Sequence, residues 1–80
     1  MSNEEKLRNA FMSTFNVDSE VITDELKYRE IPQWDSLAHM KLIAALEETF
    51  DVMFETEQVL DMSSYAMARE ILAKQHGIEF

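Results

Sequence analysis

Three stretches of this chain repeat apolar residues at intervals of three and four, and nowhere does the strict alternation of a half-buried strand persist. That spacing places each apolar set on one side of a helix, so the chain can bury its core only by packing helices on helices. Leu7, Ala10, Phe11, Thr14 and Phe15 form the first stripe, Leu42, Ala45, Leu46, Thr49 and Phe50 the second, and Tyr65, Ala68, Ile71 and Leu72 the third.

Punctuation at the ends of these stripes sets the boundaries. Ser2-Asn3-Glu4-Glu5 has the spacing of a capping box and predicts a helix from about Asn3 to Phe15, ended by Asn16 and Asp18-Ser19. Residues 16–35 form a long connection in which Val21, Leu26, Tyr28, Ile31 and Trp34 recur, so it is expected to pack across the helices. Thr23 or Asp24 is placed to cap an irregular turn near Glu25–Tyr28. Pro32 drives Ile31 out of the helical region, and the second helix therefore begins at Ser36 or Leu37 and runs to Phe50. A short helix is expected around Glu57–Leu60, then a last one capped by Ser64 or Ser63 and stopped by Lys74, His76 and Gly77. The expected fold is all-α: one domain over residues 1–80, a small four-helix bundle with three longer helices, one short helix, and a long first loop.

Composition narrows the function. The 80 residues hold enough apolar side chain (46%) for a core, and they include no cysteine, which rules out disulfides and cysteine-based metal sites. A net charge of −9 argues against nucleic acid, whose phosphates need clustered cations, and steers the chain toward basic patches on other proteins. Between Asp35 and Asp61 stand seven carboxylates (Asp35, Glu47, Glu48, Asp51, Glu55, Glu57, Asp61) against the single cation Lys41. No apolar run approaches a membrane span, and the acidic start is unlike a signal peptide. These features lead to the expectation of a cytoplasmic monomer with no stable membrane association.

Chemistry concentrates at Asp35-Ser36-Leu37, where loop gives way to the second helix. Ser36 there is either an ordinary helix cap or an exposed hydroxyl beside the open amides and positive end of a helix, a favourable place for an anion. Leu37, Met40 and Ala44 add an apolar face beside the core stripe, flanked by Lys41, Glu47 and Glu48; a partner helix docking there would make the chain an unmodified interaction module. His39, three residues after Ser36, invites a hydrolase reading, but one helix face supplies neither an orienting group nor an oxyanion hole, and His39 is expected to be solvated. Glu47 and Asp51, near Glu48 and Glu55, suit at most weak divalent binding, and no dedicated metal site is expected. Met40, Met53, Met62 and Met67 are expected to fill core gaps.

Trp34-Asp35-Ser36-Leu37-Ala38-His39-Met40, continuing through Leu42-Ile43-Ala44-Ala45-Leu46-Glu47-Glu48-Thr49-Phe50-Asp51-Val52, resembles the prosthetic-group region of acyl carrier proteins. The likeness in element order extends over nearly the whole chain. It implies that Ser36 is the attachment site of 4′-phosphopantetheine, added from coenzyme A by a phosphopantetheinyl transferase, with Asp35 and Leu37 completing the motif. The arm's thiol would carry an acyl group as a thioester, and the protein would perform no catalysis itself. The resemblance also implies that Met40, Lys41, Ala44, Glu47 and Glu48 meet the loading, modifying and unloading enzymes through their basic docking patches. Helical spacing taken with the resemblance further suggests Leu46, Phe50, Met62, Tyr65, Ala68 and Leu72 as the lining of an acyl pocket. Three positions depart from the family pattern. Ile31-Pro32-Gln33-Trp34 lacks the glycine common before Asp-Ser, Lys41 stands where carriers of fatty-acid synthesis commonly have an acid, and Ala38 is uncharged. Fatty-acid, polyketide and specialised pathways all stay open, and the departures speak for the specialised ones.

Overall fold

The computed structural model describes residues 1–80 as four helices joined by ordered loops, with no strand. They are α1 (Asn3–Phe15), α2 (Ser36–Phe50), α3 (Thr56–Asp61) and α4 (Tyr65–His76). The capping box closes α1 as expected: Ser2 Oγ accepts the Glu5 amide at 3.1 Å, and Glu5 Oε1 accepts the Ser2 amide at 3.1 Å. At the other end Asn16 adopts φ 56°, a left-handed conformation that its short polar side chain tolerates. Asp51 ends α2 in the same way with φ 55°.

The long first loop is ordered because α1 and α4 supply partners for its backbone. Arg8 donates to Ser19 O at 3.1 Å and to Ile22 O at 2.7 Å, fastening a single 3₁₀ turn at Ser19–Val21 onto α1. This turn lies earlier than the sequence pattern implies, since Arg8 captures carbonyls that local propensity cannot foresee. A tighter turn follows in which the Leu26 amide donates to Thr23 O at 3.0 Å. The loop then passes the start of α4: Tyr28 N donates to Ser63 O (2.9 Å) and Tyr65 N donates to Leu26 O (3.0 Å).

Trp34 is fully buried, as are Phe11 and Tyr65. Their rings, with Phe15, meet at centroid distances from 4.9 to 5.7 Å, mostly edge to face, the arrangement favoured by aromatic quadrupoles. Leu7, Leu42, Leu46, Met62, Ile71 and Leu72 complete the centre of the core. On α2 the buried face is Leu42, Ile43 and Leu46, with Ala45 and Phe50 half-buried and Thr49 exposed. The core stripe is thus rotated toward Ile43, because α2 must meet α3 and Trp34 as well as α1.

The methionines divide. Met62 is buried, but Met40 is 57% and Met53 79% exposed. The expectation that they fill the core fails for these two: Met40 lies on the outer face of α2 and Met53 in the loop that follows it.

Candidate functional site

The site begins with a division of labour at the start of α2. Asp35 is the cap, its Oδ1 accepting the Ala38 amide at 2.9 Å, so Ser36 is the first helical residue and its exposed hydroxyl has no capping duty. Amides of a helix's first turn lack partners one turn back.

Two loop residues converge on that hydroxyl, Tyr28, which was expected only to pack across the helices, and Arg29, which carried no expectation. Tyr28 Oη lies 3.0 Å from Ser36 Oγ, and Arg29 donates to the same oxygen from Nη2 at 3.3 Å. The Arg29 guanidinium also stacks over the Tyr28 ring, 5.4 Å from its centroid. The hydrogen bond to Ser36, and then the neighbouring Arg29, hold the Tyr28 phenol below its ordinary 10.0. Arg29 has φ 69°, a left-handed conformation costing roughly 1–2 kcal/mol for a residue with a β-carbon. Surrounding bonds enforce it: Arg29 N donates to Trp34 O (3.1 Å), Glu30 N to Lys27 O (3.0 Å), and Trp34 N to Ile31 O (3.1 Å). Positive φ at arginine leaves no sequence signal, which is why the pair went unnoticed.

His39 is not solvated. Its Nδ1 accepts from Trp34 Nε1 at 3.0 Å, and its Nε2 is 2.9 Å from Val59 O. An indole only donates and a carbonyl only accepts, so this geometry is that of the Nε2–H tautomer, with neither nitrogen free to act as a base toward Ser36. His39 instead ties the loop and α2 to α3.

Beyond Ser36 the outer face of α2 is open. Leu37 is 67% exposed, and Met40, Lys41, Ala44 and Glu48 share the exposed side. Glu47 stands apart from this face. It is half-buried, and its Oε2 accepts the Phe54 amide at 3.0 Å, so it holds the turn after α2.

Of the residues expected to line an acyl pocket, Leu46, Met62, Tyr65, Ala68 and Leu72 are buried and Phe50 is half-buried. A cleft of about 150 Å³ reaches this group at Met62, lined by Tyr28, His39, Val59, Leu60 and Ser63. A larger and more open groove, about 410 Å³, follows the seam between α1 and α2 past Lys6, Ser13 and Glu48, and it touches none of the residues around Ser36. No three His, Cys, Asp or Glu side chains converge as metal ligands would.

No family model matches the chain. It is, however, 32% identical over 74 residues to the acyl carrier protein of Akkermansia muciniphila, an alignment that covers 92% of both chains. The chain belongs to the acyl carrier protein family. The four helices and the long first loop agree with that membership, and members of the family are carriers, not enzymes. The engagement of both His39 nitrogens fits the same conclusion. No helix is long and apolar enough to cross a membrane.

Proposed function

We propose that this chain carries an acyl group as a thioester on 4′-phosphopantetheine joined to Ser36 and presents it to biosynthetic enzymes. The observation that supports this most is the separation of cap from hydroxyl: Asp35 holds the helix start, and Ser36 Oγ is exposed beside a cation. The prosthetic group fits these residues, since its phosphodiester is an anion and Arg29 with Tyr28 already face the oxygen that would bear it. When attached, the group supplies the thiol that the cysteine-free chain lacks. Attachment by a phosphopantetheinyl transferase would form an Oγ–phosphorus bond and break the pyrophosphate of coenzyme A. The adenosine bisphosphate half leaves with the electron pair, and the serine proton passes to solvent or a transferase base.

The chain's own residues position and recognise. Leu37, Met40, Lys41, Ala44 and Glu48 would meet partner enzymes, with Glu48 addressing their basic patches and Glu47 acting indirectly through the Phe54 turn. An acyl chain entering beside Met62 would have to part Leu46, Tyr65, Ala68 and Leu72, with Phe50 at the margin of the group. Lys41 and Ala38 interrupt the acidic strip, and we read the pathway as a specialised one. All 80 residues act in this reading as one monomeric carrier domain working in the cytoplasm, a reading that the absence of cysteine fits.

The second reading, an unmodified module, rests on the exposure of Leu37 (67%) and Met40 (57%). Incubation with a broad-specificity transferase, coenzyme A and magnesium, followed by intact and peptide mass measurement, decides between the two. A phosphopantetheine mass gain on Ser36, absent in Ser36→Ala, supports the carrier. A folded, unmodified product favours the module.

A further inference from the structure

Each of the two tyrosines shares a hydrogen-bonded group with an arginine stacked on its ring, and only one of these two pairs has an anion between its arms; Arg8 also lies over the Tyr65 ring, at 5.6 Å. In the first, Tyr65 Oη donates to Glu4 Oε2 at 2.7 Å, Arg69 donates to both Glu4 oxygens at 2.9 and 3.0 Å, and Arg69 stacks 5.2 Å from the Tyr65 centroid. In the second, Tyr28 and Arg29 stack at 5.4 Å and converge on Ser36 Oγ, a neutral oxygen where the first pair has a carboxylate.

We propose that Arg29 and Tyr28 are a clamp for the phosphodiester borne on Ser36, positioning the root of the arm against the loop; the proposal rests on the carrier reading. Four observations carry it. In a chain of net charge −9, Arg29 makes no ion pair, and the ion pairs present belong to Arg69 and Lys74. The nearest acid in sequence on the helix side, Asp35, has Oδ1 committed to the Ala38 amide. The backbone bonds of the turn hold Arg29 at φ 69°, which fixes where its side chain leaves the loop. Finally, Tyr28 is fixed from behind by the Ser63 carbonyl and by ring contacts to Trp34 and His39 at 6.2 and 5.3 Å.

Modification would complete the set. Esterified Oγ has no hydrogen to donate, so Tyr28 becomes the donor. The two non-bridging phosphate oxygens bring the negative charge that a guanidinium recognises far better than a hydroxyl. The consequence is a loop that resists opening once the arm is attached.

Hydrogen exchange of the backbone amides of Arg29 and Trp34, compared between unmodified and modified protein, tests this. Exposed charge pairs of this kind correspond to roughly two- to five-fold in an opening equilibrium, so protection at these amides should rise by that factor on modification of the native chain. The rise should shrink toward none in molar salt. It should be absent in Arg29→Gln and in Arg29→Gly, the latter chosen because glycine accepts the positive φ and keeps the loop folded. Modified protein with unchanged protection, or with the same rise in both variants, overturns the clamp and leaves the carrier standing. A folded native chain that gains no mass at Ser36 overturns the carrier reading and the clamp with it.

Discussion

The two tyrosine–arginine pairs sit at opposite ends of one argument about what a polar cluster is for. Around Tyr65, Glu4 and Asp24 satisfy Arg69, and burial together with the Glu4 carboxylate pushes the Tyr65 phenol up to about 12. Arg69 in turn holds the Glu4 carboxyl below its ordinary 4.5. That cluster is closed: it joins the start of α1 to the first loop and α4. Around Tyr28, the same two side-chain types meet a lone hydroxyl at the surface, and the phenol moves the other way, below 10.0. The difference teaches that a satisfied network is read as structure, while a matching network without its anion is read as a site.

The largest effect should separate the two arginines. Arg69→Gln removes the ion pairs to Glu4 and to the exposed Asp24, leaving Glu4 the Tyr65 hydroxyl, and is expected to cost about 1.5 kcal/mol in urea unfolding of the unmodified protein. Arg29→Gln should stay within about 0.5 kcal/mol, because no folded-state partner loses a charge. Equal losses would break the comparison. Next, Tyr65→Phe should cost about 1 kcal/mol by removing a hydrogen bond to a charged group, and Tyr28→Phe clearly less.

The pH dependence sharpens the contrast. The depressed Glu4 value contributes stability above 4.5, lost as pH falls through its lower folded value. Tyr65, raised in the folded state, contributes stability that is whole below 10.0 and lost as pH climbs toward about 12. Acid and alkaline unfolding followed by circular dichroism should show both losses, and Glu4→Gln should reduce the acid one, leaving the part due to Glu5, which its bonds to Ser2 also hold low. Because the chain has only two tyrosines, ultraviolet titration of the folded protein should resolve an early phenolate from Tyr28 and a late one from Tyr65. One merged step at the ordinary value would sink the assignment. Smallest of all, Glu48→Lys should slow encounter with a basic partner enzyme only a few-fold and weaken its salt dependence, while leaving stability unchanged.

Much of the fold was legible because its signals are local. Ser2 with Glu5, Pro32 before Trp34, Ser64 and Gly77 act on their own backbone within a few residues, and the helices begin and end where these residues dictate. The Asp35-Ser36-Leu37 motif was legible for the same reason. What escaped was made by contacts across the chain. His39 looked free because its partners, Trp34 and the Val59 carbonyl, meet only when α3 folds back over α2. Glu47 looked like part of the exposed face until the turn after α2 brought the Phe54 amide to it.

The amino-acid order by itself thus determined the number of helices, their approximate ends and most of the apolar side of each, and it marked Ser36 as the candidate attachment point. These follow from dihedral preference, capping and period, which need no knowledge of distant residues. Tertiary structure decided that Tyr28 and Arg29 close on the Ser36 hydroxyl. The path of a twenty-residue loop is fixed by the partners that Arg8, Ser63 and Tyr65 offer to its backbone, and those partners exist only once the helices have packed.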